Sequence, residues 1–297
     1  MQKYFFFIRK FACRELIYLH LTNNLRVLIF DENQHYQTFT YFGNMKITFL
    51  GTGTSQGVPV IGCQCEICQS KDSRDKRLRS SVMIENEGQV FVIDTGPDFR
   101  EQMLREKVKT LDAVIYTHEH RDHVAGLDDI RGFNFVMGKA IDVYADNNVE
   151  SAIRKMYPYI FSEIKYPGIP EIILHNIDGK PFNIGETHFI PLKVMHHKLP
   201  IWGFRIGGFS YVTDANFIPL EEKEKIKGSD ILVLNALRRE KHISHFTLEE
   251  AISVARELEV KEVYFTHISH QLGKHADVEK ELPKGMHLAY DQLKLEL

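Results

Sequence analysis

Four side chains able to bind a metal crowd into six residues: His118, His120, Asp122 and His123. Imidazole and carboxylate ligands together suit zinc, manganese or iron. A single histidine in a polar loop is usually just solvated, but four such groups directly after a strand form half of a metal site. That strand is expected over 112–117, because its apolar run is continuous, as in a strand buried on both faces. A second set of candidate ligands is Cys63, Cys65 and Cys68. Three thiolates in Cys-x-Cys-x₂-Cys spacing are one short of a closed structural zinc site. The plainer reading is three reduced surface thiols.

Other elements must position these groups. Strands are expected over 81–85 and 90–94, split by the hairpin signal Asn86-Glu87-Gly88. A helix is expected from Pro97, with Phe99, Met103 and Leu104 as its apolar stripe. Further strands are expected near 141–144, 188–194, 209–213, 231–234 and 262–266. Helices fit 148–156 and 248–258, with a short turn after His275. There is no repeat of solenoid period and no low-complexity linker, so 45–297 reads as one domain. Residues 1–44 lack sustained periodicity. They read as an appendage: upstream sequence foreign to the native protein, a poorly ordered tail, or a small docking segment.

Composition narrows the class. With 297 residues, 43% hydrophobic and 26% charged, the chain can bury a sizeable core. A net charge of −3 gives no electrostatic reason to expect nucleic acid or an acidic membrane as partner, and the one basic cluster, 71–79, is short. Four cysteines, three of them within six residues, argue against a disulfide framework and for a reducing, cytoplasmic setting. No run is long enough to span a bilayer. The apolar start at 4–8 stops at Arg9-Lys10 with no small-residue cleavage site, unlike an export signal. Nothing in the composition speaks against a homodimer.

The segment Thr117-His118-Glu119-His120-Arg121-Asp122-His123 resembles the His-x-His-x-Asp-His signature of the metallo-β-lactamase superfamily. Supporting motifs follow in the family's order: Gly51-Thr52-Gly53-Thr54-Ser55, Asp94-Thr95-Gly96-Pro97, Met195-His196-His197-Lys198-Leu199, Val212-Thr213-Asp214 and Thr266-His267-Ile268-Ser269-His270-Gln271. The resemblance covers 46–297. It is nearest to the branch of phosphonate-pathway cyclic-phosphate phosphodiesterases and more distant from the tRNA 3′-processing endonucleases. It implies an α/β fold, the αββα sandwich, with the site at one edge of the packed sheets.

Carried over residue by residue, the resemblance implies two divalent metal ions, zinc or manganese. His118, His120 and His196 would hold one, Asp122, His123 and His267 the other, and Asp214 would bridge them. His197 competes with His196, since adjacent side chains point apart and only one can serve. Asp94 would orient a ligand histidine, or else cap the helix beginning at Pro97. His270 would complete a structural zinc with the three cysteines. His245 matches the family's catalytic histidine, the general acid on the leaving alcohol, with His242 close enough to be mistaken for it. Asp122 is grouped with His245 in the catalytic set. Arg131 would contact a phosphate oxygen, or pair with a nearby aspartate.

Two divalent ions with two carboxylates and a bridging hydroxide leave the site cationic, which favours a small anionic phosphodiester. The expected activity is therefore a phosphodiesterase acting on a cyclic or nucleotide-like diester by attack of that hydroxide, without a stable nucleic-acid complex. The alternatives are a tRNA endonuclease, a thioesterase or a lactamase of the same fold, or a non-enzymatic metal-stabilised module. Two features depart from the family pattern. Asn235 stands at a strand end where relatives often carry an acid, and 199–204 are expected to form a bulky wall after His196.

Overall fold

The computed structural model describes residues 45–297 except Lys165, and the backbone of four strands before them. These are β1 (Ile8–Phe11), β2 (Arg14–Leu21), β3 (Asn24–Phe30) and β4 (Tyr36–Tyr41). They form an antiparallel sheet in chain order. Sequence reading missed them because apolar runs such as Leu16-Ile17-Tyr18-Leu19 are continuous rather than alternating. Cys13 lies outside the described residues. The chain divides into two units, Met1–Met45 and Lys46–Leu297.

In the second unit the strands run β5 (Lys46–Gly51), β6 (Ser81–Asn86), β7 (Gln89–Ile93), β8 (Ala113–Ile115), β9 (Ile141–Ala145) and β10 (Ile172–Asn176). Then follow β11 (Phe182–Ile184), β12 (Thr187–His196), β13 (Leu199–Ile206), β14 (Phe209–Val212), β15 (Ile231–Asn235), β16 (Glu262–Thr266), β17 (Met286–Leu288) and β18 (Lys294–Glu296). The helices are α1 (Phe99–Glu106), α2 (Arg121–Val124), α3 (Arg131–Met137), α4 (Asn147–Met156), α5 (Leu220–Ile226), α6 (Leu248–Leu258) and α7 (His275–Glu281).

Two seven-stranded sheets result, ordered β10-β9-β8-β7-β6-β5-β18 and β11-β12-β13-β14-β15-β16-β17. Each is antiparallel toward one side and parallel toward the other. β7-β8-β9-β10 and β14-β15-β16-β17 are the parallel halves. Period-two alternation sends one residue of each pair to the facing sheet and the next to the helices. In β7, Phe91 meets Phe189 of the other sheet edge to face at 5.4 Å, while Val92 packs in the core that holds Phe99 and Met103 of α1 and Val149 and Ile153 of α4. On the opposite side, Leu232, Leu234, Val263 and Phe265 pack with Leu248, Ala251, Ala255 and Leu258 of α6. The architecture is the expected αββα sandwich.

Most expected elements form within a residue or two of their bounds. Leu104 is an exception. It is 58% exposed and outside the apolar stripe of α1, which is carried by Phe99 and Met103. The segment 199–204, expected as a bulky wall after His196, belongs to strand β13. That strand pairs with β12 from His196↔Leu199 through Ile190↔Arg205, so 197–198 is a tight hairpin turn.

Because every candidate ligand lies beyond residue 45, a chain beginning at Met45 is expected to fold without the first unit. Its far-UV circular dichroism and thermal midpoint should match those of the second unit in the full chain. Loss of soluble protein on truncation would make residues 1–44 part of the fold.

Candidate metal centre

The histidine loop starts where β8 runs out. Tyr116 still donates its N–H to Tyr144 O at 2.9 Å, and the chain then turns to present Thr117 and His118. His120 is extended and starts the single turn α2, which carries Asp122 and His123. Asp94, just past β7, lies behind this loop with no exposed surface. One of its oxygens accepts the Thr117 N–H at 2.9 Å. The other accepts the Thr117 hydroxyl at 2.8 Å and His123 Nδ1–H at 2.7 Å. The hydroxyl, having donated to Asp94, is left to accept His118 Nδ1–H at 2.9 Å. One carboxylate thus sets the tautomer of two histidines and leaves Nε2 of each facing the site. Asp94 does not cap α1, whose first residue follows Asp98. Gly96 lets this loop close on α2, because a Cβ there would stand 2.2 Å from Asp122 O.

The second sheet supplies the remaining residues from the ends of its strands. His196 closes β12, and its Nδ1–H donates to Asp214 O at 2.6 Å and Ser244 O at 2.9 Å. Two carbonyl acceptors require the proton on Nδ1, so Nε2 is again the free lone pair. His197 is exposed at a φ of 56° in the hairpin turn, and the competition between the two neighbours falls to His196. Asp214 follows β14 and His267 follows β16. Asp214 has one oxygen 3.0 Å from His267 Nδ1 and the other 3.5 Å from His123 Nε2 and 3.9 Å from His118 Nε2. Asp122 reaches His123 Nε2 at 3.2 Å. His120, the exposed member, has its ring 4.6 Å from that of His118 and 5.1 Å from that of His196.

The donor set suits a cation. His118 Nε2, His123 Nε2 and His267 Nδ1 are buried without a hydrogen-bond partner, an arrangement that costs free energy unless something fills the role. Burial works against a charge on His123, yet Asp214, Asp122 and Asp94 together raise it well above its ordinary range. Burial also opposes charge on Asp214, but His267 and His123 hold it well below the usual carboxylate range. The carboxylates therefore draw positive charge into a buried place.

His245 stands against the histidine cluster. It is 8% exposed, with Nδ1 buried and unpartnered. Its ring lies 4.6 Å from that of His196 and stacks at 4.9 Å on that of His267. Burial first, then the neighbouring imidazoles, press its pKa down to about 3. His242, 5.0 Å away, is more open.

The cysteines converge on the far end of the His267 segment. Cys63, Cys65 and Cys68 place Sγ 3.5, 3.3 and 3.6 Å from His270 Nδ1. A tetrahedral zinc with ordinary Zn–S and Zn–N bonds would set those separations at about 3.6 Å. The Cys68 N–H and then His270 lower the Cys65 thiol to about 6, and burial pushes Cys68 up to about 11.

Residues 89–268, more than half of the chain, match the family model of the β-lactamase superfamily domain. A solved diphosphatase from the PhnP family is 42% identical, covers 86% of this chain and 97% of its own, and superposes with a TM-score of 0.81. The chain belongs to the metallo-β-lactamase superfamily, in its PhnP branch. An octanoyltransferase from Porphyromonas gingivalis is 40% identical over 252 residues, 84% of this chain and 51% of that protein. A ribonuclease Z from Bacillus thuringiensis is 27% identical over 54% of this chain and 49% of its own length. The chain thus spans about half the length of these curated relatives. Membership in the metallo-β-lactamase superfamily implies divalent metal ions, which the donor set fits.

Arg131 makes the second of its two expected contacts, and Trp202 departs from the wall expected over 199–204. Arg131 is not drawn into the histidine cluster: it begins α3, half exposed, and pairs with Asp128 one turn back at 3.1 Å. Trp202 does not wall the site. Alternation along β13 turns its indole to Asp146, whose carboxylate accepts Nε1–H at 3.1 Å. Two supporting residues escaped the sequence reading. Thr54 contacts His267 Nε2 at 3.2 Å, and Asn235 holds the backbone of Ala215. Thr54 had a signal, since it belongs to the Gly-Thr-Gly-Thr motif.

The charge balance sets a pH dependence for metal-depleted protein. His123, raised above its ordinary 6.5, contributes stability that is complete below pH 6.5 and is lost as pH rises through its folded value. The thermal midpoint of depleted protein should therefore fall on the alkaline side, and added Mn(II) or Zn(II) should reverse the fall. A flat alkaline limb, by calorimetry, would show that His123 does not balance the carboxylates.

Proposed function

We propose that this protein is a metal-dependent hydrolase that cleaves a small phosphodiester at the edge where both sheets deliver their ligands. The observation that carries the reading is the convergence of Asp214 on His118, His123 and His267, with free imidazole nitrogens facing it. His118, His120 and His196 would hold one divalent cation, and Asp122, His123 and His267 the other, with Asp214 shared. Such ions supply a water that is nucleophilic near neutral pH and a Lewis-acid grip on phosphoryl oxygens. The similarity to a PhnP-family diphosphatase over nearly its whole length favours a phosphorus ester over a thioester or a lactam. The name octanoyltransferase belongs to a protein about twice as long as the part that matches.

The protein groups have separable tasks. Asp94 fixes His123 directly and His118 through Thr117. His245 is neutral in the free site, so it serves first as a hydrogen-bonding group beside His196 and His267. A bound phosphate brings negative charge beside that ring and favours its protonated form. The leaving alcohol can then take its proton from His245. The cysteine site would hold a structural zinc through Cys63, Cys65, Cys68 and His270, stabilising the segment that also carries His267.

Bis-p-nitrophenyl phosphate should be turned over, and a thioester and nitrocefin should not. A chelator should abolish the activity. His120→Ala and Asp214→Ala should remove most of it while the fold survives. Preference for nitrocefin or the thioester would overturn the phosphodiester reading, and full activity in rigorously metal-free protein would overturn the metal-dependent one.

His245→Ala should slow an alkyl or ribose phosphodiester by roughly 10²–10⁴-fold and largely spare a p-nitrophenyl ester, whose leaving group needs no proton. Equal slowing of both would assign His245 to positioning.

Cys65→Ser should lower zinc content by about one ion per chain and reduce thermal stability, with a smaller loss of activity. Unchanged zinc stoichiometry would exclude the thiols as ligands.

A further inference from the structure

Asn235 ends β15 with no exposed surface, and no charge or ligand explains a buried amide there. Its Oδ1 accepts the Ala215 N–H at 2.8 Å, and its Nδ2 donates to the Ala215 carbonyl at 2.9 Å. Only this orientation of the amide matches donor to acceptor at both ends, so the assignment of its oxygen and nitrogen is fixed by the pairing. The residue it grips is the one after Asp214.

Asp214 needs such a grip. Its φ is 60°, in the left-handed region. A non-glycine residue there is strained and persists only where its surroundings over-determine it. The peptide that follows is the place to do so. Asp214 O takes the His196 Nδ1–H, Ala215 is held by Asn235, and Ala215 O also accepts the Phe246 N–H at 2.9 Å. Phe246 is next to His245. The same short stretch of backbone therefore orients His196, aims the Asp214 carboxylate and anchors the loop of His245.

We infer that Asn235 is a positioning residue of the metal centre: by clasping Ala215 it holds Asp214 in its left-handed conformation and sets His245 against His196. The inference rests on the proposed sharing of Asp214 between two cations. It also gives a reason for the amide. A carboxylate at 235 would keep the acceptor for the Ala215 N–H but set a lone pair against the Ala215 carbonyl, where Nδ2 now donates.

The test compares Asn235→Leu, which loses both hydrogen bonds, and Asn235→Asp, which loses the donor. The control is Val233→Ala, a cavity on the same buried strand with no contact to Ala215 in the hydrogen-bond network. Full-length metal-depleted protein is titrated with Mn(II) by calorimetry, its thermal midpoint is measured without metal, and turnover of bis-p-nitrophenyl phosphate is resolved into kcat and KM. Asn235→Leu should weaken Mn(II) binding about 10–100-fold, the range for lost support of a metal ligand. It should also lower kcat more than it raises KM. Asn235→Asp should fall between it and the wild type, and Val233→Ala should lose thermal stability with little change in Mn(II) affinity. If Asn235→Leu fails to fold, the Mn(II) affinity of Asn235→Asp decides the matter. Affinity and kcat that follow the thermal midpoint alike in the Asn235 variants and Val233→Ala would overturn the inference and leave Asn235 a scaffold residue. Wild-type protein that takes up no Mn(II) at the histidines would instead overturn the metal-centre reading on which it stands.

Discussion

Burying a carboxylate is costly unless donors or positive charge meet it, and this fold buries Asp94 and Asp214 within reach of the same imidazole. His123 touches Asp94 at 2.7 Å on one side and Asp214 at 3.5 Å on the other. Asp94 is answered by protein donors and so acts as a fixed support. Asp214 is met by histidine nitrogens that have no hydrogen-bond partner of their own. The difference separates a structural carboxylate from a candidate ligand carboxylate, and the sandwich is arranged to keep both in place.

That arrangement strains the backbone where the strands end. Asp94, Asp214 and His267 are all non-glycine residues at positive φ, at 65°, 60° and 56°. Each follows a strand of a parallel stretch, β7, β14 or β16, and each bends the chain back so that its side chain faces the same small volume. Packed sheets on either side make such bends affordable, because extended core contacts absorb strain localised in single residues. The glycine-rich motifs work by a different route. Gly51 and Gly96 let backbones approach where a Cβ would meet Arg79 O and Asp122 O at 2.0 and 2.2 Å.

The candidate metal ligands were the most legible part of the sequence, because their identity and order are the chemistry. The buried strand β8 announced itself by an unbroken apolar run, and α6 formed where a helix was expected, its start closed by a Thr247 and Glu250 capping box. The residues around the ligands were harder to read. Choosing His196 over His197 needed the two carbonyls that receive its Nδ1–H. The environment of His245 depends on burial supplied by residues far along the chain. Asn235 looked like a departure from the family pattern, and its task became visible only when β14 and β15 were seen side by side in parallel. For Arg131 both a phosphate contact and an aspartate pair were open from the sequence, and the structure shows the pair, three residues back along the chain. Trp202 was misread because a strand's alternation carries each side chain to one face or the other.

One segment, 267–270, belongs to both clusters. His267 faces Asp214 and His270 faces the three thiols, with Ile268 and Ser269 between them. Ile268 exchanges backbone hydrogen bonds with Thr52 and Thr54, and Ser269 donates to Leu237 O, whose own N–H is given to Phe246 O. Arg238 adds a bond from its guanidinium to Gln271. Two sites that share a stretch of backbone are coupled wherever occupancy of one changes the freedom of that stretch. A cation at the thiol end that stiffened 267–270 would raise affinity at the histidine end, and the help would be reciprocal by the same factor. If both clusters hold cations as proposed, uptake at one would depend on occupancy of the other, and the cysteine cluster would be a dial on the histidine site as well as a staple of the fold.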